Sequence, residues 1–355
     1  HGGKRENVLK YVVYALLAAA VLMLVAVLVS LSNTDAWYVR QVDLVREPMS
    51  YIAGVLLLLS LFVKFRWRWV TVALFALIIV INLWRIWPYT FLAGTQLAYD
   101  DGAQAAAATC FTAMSVNVKV ENDRYAQIAE QVERIDPDIL FLMETDEEWA
   151  AQLEPVLAGY EHVDRHPQPH AFGLVFATRL RVIKTNIVEN THRDTPTLYA
   201  TVQPGSRPVE FIGLHPKPPL PSWDTQMRDE NIVKAGVQTP DRLPDAMVMG
   251  DFNDVPWSRT TTKFRDTGEW RDPRIGRGTY PTLPASLVAI GWPLDQMMLK
   301  GDLELTEFEV LPDNGSDHRA LYARVCTPRS SLRCRPAGGP TFPHRGHRAA
   351  AAAHG

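Results

Sequence analysis

Beyond Leu92 the sequence has no uninterrupted apolar stretch of membrane-spanning length, and nowhere does it carry an excess of positive charge. Its 36 Lys and Arg stand against 39 Asp and Glu, a formal net charge of -3. That balance lacks the basic footprint of a dedicated nucleic-acid binder, although a local patch would not show in a total. No run of Lys and Arg interleaved with aromatic residues appears in the later part of the chain. Cysteine is scarce, at 3 in 355 residues.

The long apolar runs all lie in the first part of the chain. Val8 to Leu31 is apolar apart from Lys10 and a few small hydroxyl residues, long enough to cross a bilayer as a helix. A second, shorter run from Met49 to Val63 reaches that length only by extension to Val45 and Phe65. A third runs from Trp69 to Trp84 and on through Arg85 to Leu92, with Arg85 able to snorkel and Trp84, Trp87 and Tyr89 as an aromatic belt. The spacing thus predicts a membrane anchor over 1–98 with spans at 8–31, 47–65 and 69–92.

Lys4, Arg5 and Lys10 flank the first span, and Lys64, Arg66 and Arg68 fill the turn between the second and third. The loop from Ser32 to Pro48 mixes Arg40 and Arg46 with Asp35, Asp43 and Glu47. Lysine and arginine bias near the spans therefore places the amino terminus and the second turn in the cytoplasm, and exports everything after the third span. A cleaved signal peptide is the alternative for the first run; its apolar core exceeds the usual length of about 7–15 residues, and the exported side is the same in either case.

From Ala106 to Thr327 short apolar segments alternate with helical spacing, the pattern of a layered α/β domain over 99–327. Strands are expected at Cys110–Val120, Ile139–Met143, Leu174–Thr178, Leu198–Val202, Val209–Leu214, Ala246–Met249, Gln296–Leu299 and Ala320–Val325, with a helix over Asp123–Arg134. After Thr327 the chain is rich in Arg, Pro, Gly and Ala, and 328–355 reads as a disordered tail.

Polar residues collect at the strand ends, where open sheets place their sites. They are Asn117 in SVNV, Glu144 in LFLMET, His215 in FIGLHPKPP, Asp251 and Asn253 in MVMGDFND, Asp295 in WPLDQMML, and Asp317 with His318 in GSDHRAL. Singly, an Asn after a strand is usually a turn former and a Glu there a solvated helix start. Their order is the informative feature.

With GDFN at Gly250–Asn253, SDH at Ser316–His318 and ME at Met143–Glu144, the stretch from Ala106 to Val325 resembles the endonuclease/exonuclease/phosphatase superfamily. Some membrane-anchored bacterial members share this layout. The resemblance implies a sandwich of two packed β-sheets with helices outside, and hydrolysis of phosphoester bonds with Mg²⁺, or Mn²⁺ in its place. It implies Asn117, Glu144 and Asp317 as metal ligands; Asp251 orienting and deprotonating water; Asn253 and His215 donating to the phosphoryl group; and His318 oriented by Asp295. A hard carboxylate suits magnesium, which keeps several of its waters. Phosphate esters repel an attacking water until a cation and directed donors neutralise them.

The sequence departs from the family pattern at two places. LDQ at Leu294–Gln296 stands where many relatives have IDH or IDY, and Lys119 stands where some nuclease members carry a further metal-binding acid. A second metal is not expected from that side. Cys110 lies before Asn117 and Cys326 after His318, so the two meet at the far end if the first and last strands are antiparallel neighbours; Cys334 is a competing partner. His162, His166 and His170 fall in an expected loop, Glu161–Ala171, without a compact ligand spacing, and read as surface residues. Arg228 reads as a phosphate contact or, more simply, a surface charge.

Together these features describe a multi-pass protein of the cell membrane with a phosphoesterase domain outside the cytoplasm. Confinement to one surface favours a lipid or prenyl-phosphate substrate. An extracellular nuclease acting on nucleic acid is the alternative enzyme, and a non-catalytic envelope binding protein the alternative of another class.

Overall fold

A computed structural model describes residues 2–99, 109–221, 225–237 and 242–327. The expected disordered tail at 328–355, with Cys334, lies outside the described residues. Three helices, α1 (Gly2–Ser30), α2 (Trp37–Phe62) and α3 (Arg68–Ile86), are long and apolar enough to cross a membrane. They pack through Ala20, Val27, Ala53, Phe75 and Ile78, while Leu22, Val55, Leu58 and Val80 face outward. The small side chains of Ala20 and Ala53 let the helices approach closely at the seam.

The second helix begins well ahead of the expected 47–65, taking in most of the stretch expected to be a loop. Its charges are absorbed inside the bundle. Fully buried Arg46 donates to Asp43 Oδ1 (2.7 Å), to Ser30 Oγ on α1 (2.6 Å) and to Asn82 Oδ1 on α3 (3.0 Å), tying the three helices together. A charge satisfied this way no longer ends an apolar span. The third helix stops before the expected Leu92, giving way at Ile86 to a single 3-10 turn, Trp87–Tyr89, that contains Pro88.

The remainder builds two sheets. Strands β1 (Thr109–Asn117), β2 (Ile139–Met143), β3 (His162–His166) and β4 (Leu174–Thr178) form one with β10 (Glu304–Val310) and β11 (Leu321–Thr327), in the order β10-β11-β1-β2-β4-β3. Strands β5 (Arg181–His192), β6 (Thr195–Gln203), β7 (Val209–Leu214), β8 (Ala246–Asp251) and β9 (Asp295–Lys300) form the other in sequence order. Their facing sides interleave Phe111, Phe141, Met143 and Phe176 with Leu198, Phe211, Met247 and Met297. Phe141 fits only because residue 213 is glycine: a Cβ there would lie 2.5 Å from its ring.

Helices cover both outer faces. α4 (Tyr125–Ile135), α5 (Glu147–Gln152) and α6 (Glu154–Leu157) lie on the first sheet, burying Ile128, Val132, Trp149 and Leu157 over Met114, Val116, Leu140 and Leu142. α7 (Thr225–Val237) and α8 (Arg259–Gly268) lie on the second, burying Ile232 and Phe264 over Ile212 and Val248. The result is the two-sheet sandwich that the resemblance implied. The histidine stretch differs from expectation, since His162 to His166 form β3 rather than a loop; His162 pairs with Asp164 (2.9 Å) and His166 faces Gln168 (3.2 Å).

The bundle docks on the end of the sandwich where β1, β2 and β8 finish. Gln41 Nε2 donates to Pro219 O (2.8 Å), and Trp257 Nε1 donates to Asp43 O (2.9 Å). Tyr89 donates to Pro256 O (2.9 Å), and Arg259 pairs with Asp35 (2.7 Å). Leu44, Ile86 and Tyr89 share one apolar cluster with Val255, Trp257, Trp292 and Leu294.

Candidate active site

Register brings the strand-end residues together. In the parallel pair of β1 and β2, Asn117 lies opposite Met143, so Glu144 follows directly beside it. In the antiparallel pair of β8 and β9, Asp251 lies opposite Asp295. Parallel pairing of Gly213 with Met249 then carries His215 to the level of Asp251. The two sheets thus contribute from opposite sides to one cluster.

Its hub is Asp251 Oδ2. Asn117 Nδ2 reaches it at 3.1 Å, His318 Nε2 at 3.7 Å and His215 Nε2 at 3.8 Å. The other carboxylate oxygen, Oδ1, accepts from Asn253 N (2.8 Å). Asn117 Nδ2 also donates to Glu144 Oε1 (2.8 Å), so one amide holds two carboxylates in place. His318 Nδ1 meets Asp295 Oδ2 at 2.8 Å, the pairing expected from the sequence. Asp251, Asp295, His215 and His318 are buried, and Glu144 and Asn253 are half-buried.

Backbone strain gathers here. Glu144 (φ 62°), Asn253 (φ 50°) and Lys119 (φ 58°) all adopt the left-handed region. Such conformations cost roughly 1–3 kcal/mol each and persist where surroundings fix them. At Gly250 (φ 148°) a Cβ would lie 1.9 Å from Leu214 O, which explains the glycine of GDFN.

Burial works against a charged His318 imidazole, but Asp295 and Asp251 overcome it and raise the pKa to about 10. The ring is therefore an imidazolium at neutral pH, held by a buried carboxylate. Burial pushes the neighbouring Asp254 up to about 7, against the pull of Arg228 and of the Ser258 hydroxyl.

The cluster fits a divalent cation. Ligand atoms of Glu144, His215 and Asp251 all lie within 4.8 Å of one another, as do those of Asp251, Asp295 and His318. Glu144 and Asp251 share a neutral amide between them, which leaves two negative charges that a cation would balance. The Asn117 carbonyl oxygen accepts from Lys119 N (3.0 Å) and keeps a second lone pair. Asp317 is bound by Lys119 Nζ (3.0 Å), which raises the lysine pKa, and it stands outside both ligand groups.

One hydrogen of the Asn253 amide goes to Pro216 O (3.0 Å), fastening the GDFN turn to the His215 loop. Several contributors escaped sequence reasoning. Arg228, read as a surface charge, is buried and donates to Lys217 O and Phe252 O while pairing with Asp229. Arg274 is buried with Asp272 (2.6 Å) and reaches Gln296 Oε1 and Asp295 O (3.3 Å). Gln296, the departure in LDQ, donates to Asp254 O (2.8 Å) and so clamps the GDFND loop. Phe172 packs its ring 5.3 Å from that of His215. Arg228, Arg274 and Phe172 lie in no motif; buried arginines between loops leave no periodic signal.

Residues 114–318 match the sequence pattern of the Endonuclease/Exonuclease/phosphatase family. The chain belongs to this family of metal-dependent hydrolases acting on phosphoester bonds. No curated protein matches the chain. Among solved structures, D. rerio TDP2 complexed with a single-strand DNA product is similar at 14% identity and TM-score 0.50, covering 62% of this chain and 100% of that one. A family protein from Bacteroides thetaiotaomicron (16% identity, TM-score 0.50) covers 62% of this chain and 98% of its own. The human Nocturnin catalytic domain with bound sulfate (17% identity, TM-score 0.50) covers 62% and 95% respectively. At these identities the likeness concerns the fold alone.

Proposed function

We propose that the protein is a membrane-tethered, Mg²⁺-dependent hydrolase of phosphoester or pyrophosphate bonds, acting outside the cytoplasm on a lipid or prenyl-phosphate substrate. In this reading residues 1–98 are the anchor and 99–327 the catalytic domain. The observation that carries it is Asp251 Oδ2, ringed by Asn117, His215 and His318 at the end of the sandwich fastened to the bundle. The extracytoplasmic side is supported by Lys64, Arg66 and Arg68, which lie at the opposite end of the bundle from that domain.

Glu144, together with Asn117 and Asp317, would hold the cation, which would supply neutralisation of the phosphoryl oxygens. Asp251 accepts the proton of the attacking water. The imidazolium of His318, oriented by Asp295, donates to a phosphoryl oxygen, and His215 and the free amide hydrogen of Asn253 donate from the other side. Lys119 adds fixed positive charge at the open edge.

The test is Mg²⁺-dependent release of phosphate or head group from lipids, prenyl phosphates and DNA, with His318→Ala and Asp251→Ala as controls. Turnover of the lipid class alone, lost in both variants, is expected. Preference for DNA would make the protein a nuclease, and equal inertness of all three proteins would leave a binding protein. A reporter fused after Thr327 that works only in the cytoplasm would overturn the placement.

A further inference from the structure

Two loops rim the catalytic cluster. Residues 216–221 leave His215, and residues 283–292 run between Thr282, whose Oγ1 accepts from Asp295 N (3.3 Å), and the start of β9. The second is closed at its base by mutual backbone bonds of Leu283 and Trp292, and Ala285 N donates to Asp317 O (2.7 Å). Both loops rest on the same short segment of α2: Pro219 O accepts from Gln41, and Trp292 Nε1 donates to Leu44 O.

That segment lies at a depth the helices themselves mark. Trp37 and Tyr38 on the first turn of α2, and Trp84 and Trp87 at the end of α3, are exposed. Exposed aromatics at helix ends belong at the headgroup level of a bilayer. Gln41 and Leu44 come after Trp37 and Tyr38 along α2, so the loops touch the helix at or below that level. At their outer sides the loops expose Leu220 (41%), Leu287 (51%) and Ile290 (56%). Single exposed aliphatic residues are ordinary on a soluble surface. These three sit on the loops bordering the site, the same two loops that bond to α2.

We propose that the tips of loops 216–221 and 283–292 rest in the bilayer at the boundary of headgroups and acyl chains, and that the site fills laterally from the membrane. The substrate is then an amphiphilic phosphate ester whose hydrocarbon stays in the bilayer while its phosphate reaches Asp251. This inference rests on the hydrolase reading for its catalytic half, whereas the seating of the loops is independent of it.

The full chain is reconstituted in vesicles of phosphatidylethanolamine and phosphatidylglycerol. In a Cys334→Ser background, Leu287→Cys carries an environment-sensitive fluorophore, with Ile183→Cys on the outer strand β5 as the control position. Lipids spin-labelled on the acyl chain should quench the label at 287 and leave that at 183 bright. Equal quenching at both positions, or at neither, overturns the seating. In parallel, Leu287→Asp combined with Ile290→Asp should lower turnover of bilayer-embedded phosphate esters at least tenfold and leave soluble bis(p-nitrophenyl) phosphate hydrolysis unchanged. Equal loss on both substrates, or none on the embedded ones, overturns lateral filling. A parent protein inert on every ester would instead overturn the hydrolase reading, and the quenching result would still decide the seating.

Discussion

The indole nitrogen of Trp292 donates to the carbonyl oxygen of Leu44 at 2.7 Å, and that carbonyl is the one Pro48 leaves without a helical partner. A proline inside a helix would ordinarily strand this oxygen. Here the catalytic domain satisfies it, from a residue close to Asp295. Trp292→Phe should therefore destabilise the protein by about 1–3 kcal/mol, the cost of an unsatisfied buried carbonyl. Thermal unfolding in detergent measures this, and Pro48→Ala, which restores the helical donor, should recover most of the loss in the double variant.

Asp295→Asn removes the charge that holds His318 as an imidazolium. The His318 pKa should fall, and kcat should drop by about 10²–10⁴ with a smaller change in KM. The alkaline limb of the pH-rate profile should move to lower pH. An unchanged limb would separate His318 from the rate.

Removing the Lys119 ammonium has two effects of opposite sense. Lys119→Ala leaves Glu144 and Asp317 more negative, so half-saturation by Mg²⁺ should occur at lower concentration. The same change withdraws positive charge from the phosphoryl group, and kcat should fall about 10–100-fold, the scale of losing one charge-assisted contact. A Mg²⁺ titration at saturating substrate reads both; a rise in half-saturation would place Lys119 away from the cation.

Asp254 gives stability a defined pH dependence. Its folded pKa of about 7 lies above the ordinary value of 3.8, so its contribution is complete below about 3.8 and is lost as pH rises from there to about 7. Over that window unfolding free energy should decline by at most about 1.4 kcal/mol per pH unit. Asp254→Asn should flatten the slope, as followed by unfolding between about pH 4 and pH 8.

Cys110 and Cys326 lie opposite each other in β1 and β11 and form a disulfide, at the ends of those strands away from the site. Replacing both with serine should cost about 2–5 kcal/mol of stability. Activity at low temperature should be unchanged, because the strand ends carrying Asn117 and His318 are remote from the bridge.

The strands expected from apolar runs are present, with β2, β4 and β7 at the expected bounds. The three strands not foreseen are β3, β5 and β10, each at the edge of its sheet. Edge strands carry charge on an open face, as in the run Arg181 to His192, and so lack the continuous apolar signature of an interior strand. In the same way the site's motif residues were legible because each closes or opens an apolar strand. The network that positions them was not, because Arg228, Arg274 and Gln296 owe their roles to loops brought together only by the fold. The start of α2 escaped for a related reason: Arg40, Asp43 and Arg46 look like a polar loop until their partners on the other helices are in place.

Ile86 and Tyr89 belong to the interior of the catalytic domain as fully as to the bundle, sharing one cluster with Val255, Trp257 and Leu294. A cut between α3 and the sandwich would not free an intact sandwich: it would strip the apolar floor from beneath the Asp251 turn, so the three helices are part of the support of the site and not a detachable appendage.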